Sequence, residues 1–84
     1  MNESVIYKKL SETFDPSYLQ VKNESHLHKH HSQSPKNGNS HFSVTIKSDY
    51  FNKLSSLQRQ REVYKALDYE IKNGLHALRI KILD

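Results

Sequence analysis

Metal binding by this chain must rely on imidazole or oxygen ligands, because its 84 residues include six histidines and no cysteine. His76 follows Asn73-Gly74-Leu75, at a point where a helix is predicted to give way to a strand. Neutral imidazole binds iron, zinc, copper and nickel, whereas any thiolate would have to come from another molecule. The sequence therefore offers His76 as a metal ligand, with helix-end capping or a hydrogen bond to a nearby carbonyl as the alternative.

A second group of histidines lies in a polar stretch from Asn23 to Asn39 that also contains Pro35 and the turn dipeptide Asn37-Gly38. Alternating positions in an extended segment project to one side, so the group is typical of a metal trap for zinc or nickel. The alternative is a solvated hairpin loop, which lacks the fixed geometry of a dedicated site. The four histidines of this group are His26, His28, His30 and His31.

Three further residues have both a functional and a structural interpretation. His41 opens a strand on its outward face, where it either decorates the surface or borders a partner. Arg59 and Arg61 lie near the start of a predicted helix, where a cation is slightly unfavourable to the helix dipole. Either a partner or an internal carboxylate holds them, or they belong to a solvated helix face.

Composition limits the classes of function. One small domain spanning residues 1–84 is predicted, with a modest core, since the mean hydropathy is −0.85. The formal charge of +4 and the pI near 9.4 suit nucleic acid or an acidic partner. No nucleophile arrangement, catalytic carboxylate pair or phosphate-cradling glycine loop is found, so we expect no enzyme. The lack of cysteine, of a membrane-spanning run and of a basic secretory start predicts a cytoplasmic protein.

Hydrophobic periodicity predicts the elements before the histidine-rich loop. Ile6, Leu10 and Phe14 recur at four-residue steps, which predicts a helix over residues 4–14 that Asp15-Pro16 ends. Residues 18–22 alternate, with Leu19 and Val21 on one side, and this pattern predicts a half-buried strand.

The elements after the loop follow the same reasoning. Residues 41–47 alternate as a second strand, a short turn or helical piece follows near residues 50–54, and residues 78–82 alternate as a third strand. An apolar stripe predicts one long helix over residues 55–73, with Asn73-Gly74 as its exit. The stripe consists of Leu54, Leu57, Arg61, Tyr64, Leu67 and Ile71, flanked by Val63 and Ala66.

These elements predict an α+β two-layer sandwich, in which the helices cover one face of a three-stranded mixed sheet in the order αββααβ. The other face of the sheet is predicted to be solvated and basic. Its side chains are Gln20, Lys22, Thr45, Lys47, Arg79 and Lys81.

Several short blocks, taken in order, resemble the BolA-like family from about residue 4 to residue 83. Each block is weak by itself, but their order and spacing together are specific. The blocks are Phe14-Asp15-Pro16, Leu19-Gln20-Val21, Asn23-Glu24-Ser25 with His28, Ser40-His41-Phe42, Ser48-Asp49 with Phe51, Arg59-Gln60-Arg61 with Tyr64, and Leu75-His76-Ala77-Leu78.

The resemblance implies a fold related to the type II KH domain and a non-enzymatic role as partner of a monothiol glutaredoxin. In that role the pair shares a [2Fe-2S] cluster, and glutaredoxin and glutathione supply the sulfur ligands. When the ligand positions of the family are matched to this sequence, His76 is the expected cluster ligand. His28 is the expected loop ligand, with His30 or His31 as substitutes. The isolated chain is expected to bind no cofactor and to be a monomer or a weak homodimer.

Some members of the family are also described as transcriptional regulators of cell shape and stress response, which gives the alternative function. DNA would then contact a basic surface formed by Arg59, Arg61, Lys47, Arg79 and Lys81. Two departures from the family pattern bear on this alternative: Gln60 replaces a usual histidine, and Lys53 stands where the family commonly has glycine. A glycine-bearing loop that could approach a phosphate backbone is therefore missing between Phe51 and Leu57.

Overall fold

The computed structural model describes residues 2–24 and 41–84. Its elements, in chain order, are helix α1 (Glu3–Phe14), strand β1 (Tyr18–Asn23), strand β2 (His41–Lys47), a 3₁₀ turn (Asp49–Phe51), helix α2 (Ser56–Ala66), helix α3 (Asp68–Lys72) and strand β3 (Ala77–Ile82). This order confirms the predicted α+β fold class.

Local chemistry sets the ends of α1. The Asn2 side chain accepts a hydrogen bond from the Val5 amide and so caps the first turn. Asp15 adopts a left-handed conformation with φ 45°, and its amide bonds to the Ser11 carbonyl. Pro16 cannot continue the helix, so the chain turns directly into β1.

The sheet has the order β1-β2-β3, with β1 antiparallel to β2 and β2 parallel to β3. Asn23 pairs with Phe42, and His41 pairs with Ala77, which fixes the register. The end of β1 and the starts of β2 and β3 therefore lie at the same end of the sheet. We call this the histidine end; its residues are Glu24, His41, His76 and Arg79.

The core lies between the sheet and the helices. Phe42, Val44 and Ile46 are buried from β2, and Leu19, Val21, Leu78, Ile80 and Ile82 of the edge strands pack against them while partly buried, as the alternation predicts. The helices and turns contribute Ile6, Leu10, Phe14, Phe51, Val63, Leu67 and Leu75. The opposite face of the sheet is polar, with Gln20, Lys22, Lys47, Arg79 and Lys81 exposed and Thr45 half-buried.

The prediction of one long helix over residues 55–73 is wrong in two respects. The backbone leaves helical geometry at Leu67, which has φ −104° and ψ 20°, so that α2 and α3 are separate helices. The predicted stripe also faces the core only in part, because Leu57 and Tyr64 are 58% and 42% exposed. Leu67 of the stripe is buried as predicted, and its other residues that pack against the core are Leu54 and Ile71. Val63 and Glu70 are buried beside it.

None of the helices within residues 2–24 and 41–84 has the length and apolar character that crossing a bilayer requires.

Candidate metal-ligand site at the histidine end

A tight turn after α3 sets the position of His76. The Glu70 carbonyl accepts hydrogen bonds from the amides of Asn73 and Leu75, at 3.2 and 3.0 Å. Gly74 has φ 129°, a region that glycine reaches without the steric cost other residues meet. The Leu75 side chain is 5% exposed and anchors the turn in the core. The next residue, His76, is consequently held by the backbone on both sides while its side chain is exposed.

An ion pair with one buried partner, Glu70, ties this turn to the first helix. The Glu70 side chain is 3% exposed, and its carboxylate lies 2.7 Å from the Lys9 ammonium on α1. The same ammonium lies 5.4 Å from the centre of the Tyr69 ring, where it gains a cation–π contact. A carboxylate buried this deeply is unfavourable without a positively charged partner. The ion pair with Lys9 therefore holds Glu70 in place, and the Glu70 carbonyl in turn holds the turn before His76.

The structure brings His76 and His41 together. Their ring centres are 6.3 Å apart, with 31° between the ring planes. His41 is half-buried, and the His76 ring has no hydrogen bond to another described residue. Capping of a helix end, the structural alternative for His76, is therefore not what its side chain does here.

Glu24 and Arg79 complete the histidine end. The Glu24 amide donates to the His41 carbonyl at 2.8 Å, and the Glu24 carboxylate lies 3.7 Å from the Arg79 guanidinium. Arg79 is 80% exposed, so this ion pair is weakly held and solvated. The site has a negative and a positive side chain beside its two imidazoles.

The predicted loop ligands His28, His30 and His31 lie outside the described residues, as does His26. The segment that contains them runs from residue 25 to residue 40, so its two neighbours in the chain are Glu24 and His41. Both neighbours lie at the histidine end. Residues 2–24 and 41–84 contain no group of three or more histidine, cysteine, aspartate or glutamate side chains arranged to hold a metal.

The basic residues proposed for nucleic acid fall into two groups. Arg59 and Lys81 line one cleft, together with Ser56, Gln60, Ile80 and Ile82. Arg59 is already engaged there, because its Nε donates to the Leu54 carbonyl at 3.0 Å and it forms a 2.9 Å ion pair with Asp84. The internal carboxylate expected to hold Arg59 is thus Asp84.

The other basic residues are more widely spread. Arg61 is exposed on α2, and Lys47 is exposed at the end of β2 farthest from His41. Arg79 pairs with Glu24 at the histidine end. The five predicted residues consequently form no single patch: Lys47, Arg79 and Lys81 share the open face of the sheet, Arg59 lines a cleft with Lys81, and Arg61 lies on α2.

A third polar feature joins the 3₁₀ turn to α2. The Tyr50 hydroxyl donates a 2.6 Å hydrogen bond to the Glu62 carboxylate. This hydrogen bond raises the pKa of the Tyr50 phenol, as do burial and the negative charge of Glu62. A phenol is protonated at neutral pH even at its ordinary pKa, so Tyr50 acts here as a hydrogen-bond donor.

Sequence reasoning missed two features of the site. The His41–His76 pair depends on the parallel register of β2 and β3, which no local pattern reveals. The burial of Glu70 depends on Lys9, 61 positions earlier in the chain. The only local signal was the position of Glu70 on the helix face that also carries Val63 and Leu67, spaced by four and three residues.

The comparisons with known proteins agree with one another. The family model described as BolA-like protein matches residues 10–83. The DNA-binding transcriptional regulator BolA of Vibrio cholerae is 42% identical over 80 residues, which cover 95% of this chain and 72% of that protein.

Two solved structures from Arabidopsis thaliana have the same fold. BolA1 aligns with a TM-score of 0.87 and 31% identity, over 98% of this chain and 89% of that one. The BolA domain of SufE1 aligns with a TM-score of 0.83 and 36% identity, over 95% of this chain and 87% of that domain.

Proposed function

The chain belongs to the BolA-like family, and from this premise we propose that it is a non-enzymatic partner of a monothiol glutaredoxin that helps to coordinate a bridging [2Fe-2S] cluster. The BolA-like family is not a known enzyme family. The cluster in this proposal is cargo, used in iron–sulfur trafficking or in iron sensing.

The observation that supports the proposal most directly is the presentation of His76. Its ring is exposed, carries no hydrogen bond to another described residue, and stands on a turn anchored by Leu75 and Gly74. A ligand to an external metal must be reachable, and it must lose little conformational freedom when it binds. His76 meets both conditions.

The chemistry of the donor set explains why a partner is needed. The chain has no cysteine, while clusters of this type are normally held by thiolates. Imidazole can replace thiolate at one iron, and this replacement raises the reduction potential of the cluster. Glutaredoxin and glutathione would supply the sulfur ligands.

The loop would supply a second nitrogen ligand in this proposal. Residues 25–40 connect Glu24 to His41, and both of these flanking residues lie at the histidine end, where the His41 ring centre is 6.3 Å from that of His76. His28 is the preferred loop ligand, and His30 and His31 are the substitutes.

A mixing experiment tests the proposal. A monothiol glutaredoxin loaded with cluster and glutathione is titrated with the chain under anaerobic conditions, and visible circular dichroism is recorded. The wild type should convert the spectrum of the glutaredoxin homodimer into a different one, and His76→Ala should abolish that change.

His41→Ala is the matched control, since it removes the same side chain from the neighbouring strand, and it should retain the change. Single replacements of His28, His30 and His31 by alanine identify the loop ligand. If adding the wild type leaves the glutaredoxin spectrum as it was, the glutaredoxin proposal is contradicted. If His76→Ala produces the same spectral change as the wild type, His76 is not a ligand.

We propose nucleic-acid binding as the second candidate, because the Vibrio cholerae relative is named a DNA-binding transcriptional regulator. The cleft that contains Arg59 and Lys81, and the exposed lysines of the open sheet face, would contact phosphates. Binding of this kind weakens with salt, with a log–log slope of about −0.9 for each neutralised phosphate of duplex DNA. Salt-insensitive or undetectable binding to a DNA duplex would contradict this second function.

A further inference from the structure

We infer that His41 and His76 together form a binding site for a single divalent cation of the Zn²⁺ class, which shares His76 with the proposed cluster site and adds His41. His41 begins β2, His76 directly precedes the parallel strand β3, and their ring centres are 6.3 Å apart. The ion site is argued from this geometry. Its consequence for the cluster, described below, rests on the proposed function.

The separation of the rings is close to that of two imidazoles on one ion. Zinc binds imidazole nitrogen at about 2.0–2.1 Å, so at the tetrahedral angle the centres of two ligating rings lie roughly 5 Å apart. The observed 6.3 Å is longer than this, so one ring must move toward the other when an ion binds. The His76 side chain is exposed, and its rotation can supply that movement.

The backbone holds both ligands in place before any ion arrives. His41 pairs with Ala77 across the β2–β3 register, so His76 is one residue removed from the partner of His41. The His41 carbonyl accepts from the Glu24 amide, and the turn before His76 is held by the Glu70 carbonyl. Because the backbone of both ligands is already ordered, binding an ion costs little conformational entropy.

The surrounding charges also bear on an ion at this point. Arg79 opposes a cation, but the Glu24 carboxylate lies 3.7 Å from the Arg79 guanidinium and offsets its charge. The two charges together leave this end of the sheet close to neutral, so they neither attract nor repel a cation strongly. Imidazole is a preferred ligand for zinc, copper and nickel, whereas Mg²⁺ and Ca²⁺ prefer oxygen.

The consequence is competition for one side chain. If His76 ligates the cluster shared with glutaredoxin, a Zn²⁺ ion on His41 and His76 occupies the same imidazole. His76 then cannot bind the cluster and Zn²⁺ at the same time. His41 distinguishes the two sites, because it is a ligand for Zn²⁺ and not for the cluster.

The test uses the full chain and Zn²⁺ alone, in a background where the loop histidines cannot contribute. Zn²⁺ is titrated by calorimetry, and imidazole signals are followed by NMR. The background variant replaces His26, His28, His30 and His31 by asparagine. It should bind one Zn²⁺ per chain and shift the ring signals of both His41 and His76.

Adding His41→Ala or His76→Ala should each weaken Zn²⁺ binding at least about tenfold, because losing a residue that merely supports a ligand already costs about 10–100-fold in metal affinity. The backbone NMR spectrum reports whether each variant folds, and His41→Gln replaces His41→Ala if the alanine variant does not. Absence of Zn²⁺ binding in the background, or unchanged affinity after either histidine is replaced, would overturn the site.

Competition is tested separately with the wild type and glutaredoxin. Zn²⁺ should suppress the mixed-complex spectrum of the wild type at concentrations that leave the His41→Ala spectrum intact. Equal suppression in both proteins would overturn the role of His41 in the competition. If the wild type forms no mixed complex at all, the glutaredoxin proposal fails while the Zn²⁺ titration still decides the ion site.

Discussion

The two candidate functions lie at opposite ends of β3, and the two ends differ in whether their polar side chains are already hydrogen-bonded within the protein. At the histidine end, the His76 ring is exposed and without a hydrogen bond to a described residue. At the other end, Arg59 is bound to the Leu54 carbonyl and to Asp84. A side chain whose backbone is held in place, but which makes no hydrogen bond or ion pair within the described protein, is suited to binding an external ligand. The comparison therefore favours a function at the histidine end.

The largest expected effect concerns the anchor of that end. Leu75→Ala removes a side chain that is 5% exposed, and it should lower the free energy of unfolding by about 2–5 kcal/mol. Urea denaturation measures this change. Leu57→Ala is the matched control, because Leu57 is 58% exposed, and it should change stability by less than about 0.5 kcal/mol. Equal losses in the two variants would mean that the turn before His76 is not anchored as described.

The second expected effect concerns the ion pair beneath the turn. Lys9→Met leaves the Glu70 carboxylate buried without its partner, and it should cost about 1–3 kcal/mol in the free energy of unfolding. Lys8→Met removes the same charge from an exposed neighbour on α1 and should cost less than about 0.5 kcal/mol. Thermal denaturation of the two variants side by side makes the comparison. A stable Lys9→Met protein would show that Glu70 does not need Lys9.

The smallest expected effect concerns the opposite end of β3. Asp84→Asn releases Arg59 from its ion pair, so Arg59 becomes available to a phosphate. The affinity for a DNA duplex at low salt should rise by up to about fivefold, because an exposed ion pair of this kind contributes up to about 1 kcal/mol. Fluorescence anisotropy measures the change. Asp68→Asn is the matched control, since it makes the same change in net charge at the Asp68–Lys72 pair on α3. The same rise in both variants would mean that only net charge matters, and that the cleft with Arg59 has no special part.

Much of the fold could be predicted from the sequence because its elements are locally encoded. The alternation in β2 and the four-residue spacing in α1 are periodic signals, and both gave the correct buried residues, Phe42, Val44, Ile46, Ile6, Leu10 and Phe14. The region of α2 and α3 was predicted less well. The pattern identified Leu67, which is buried, but tertiary packing leaves Leu57 and Tyr64 exposed and buries the charged Glu70 instead.

The site was predictable only in part for a related reason. The resemblance to the BolA-like family identified His76, and the predicted strand order placed it at the start of β3. The nearness of His41 depends on pairing between strands, and the burial of Glu70 depends on a residue in α1. Neither the proximity of His41 to His76 nor the Glu70–Lys9 pair can be predicted from a short stretch of sequence.

The central claim is that the His76 imidazole binds iron in a complex with glutaredoxin, and pulsed electron paramagnetic resonance of the reduced mixed complex tests it directly. Only this chain would carry nitrogen-15-labelled histidine. The proposal predicts a nitrogen coupling to the cluster that changes with the label and diminishes in His76→Ala. A spectrum that is identical with labelled and unlabelled chain would contradict it.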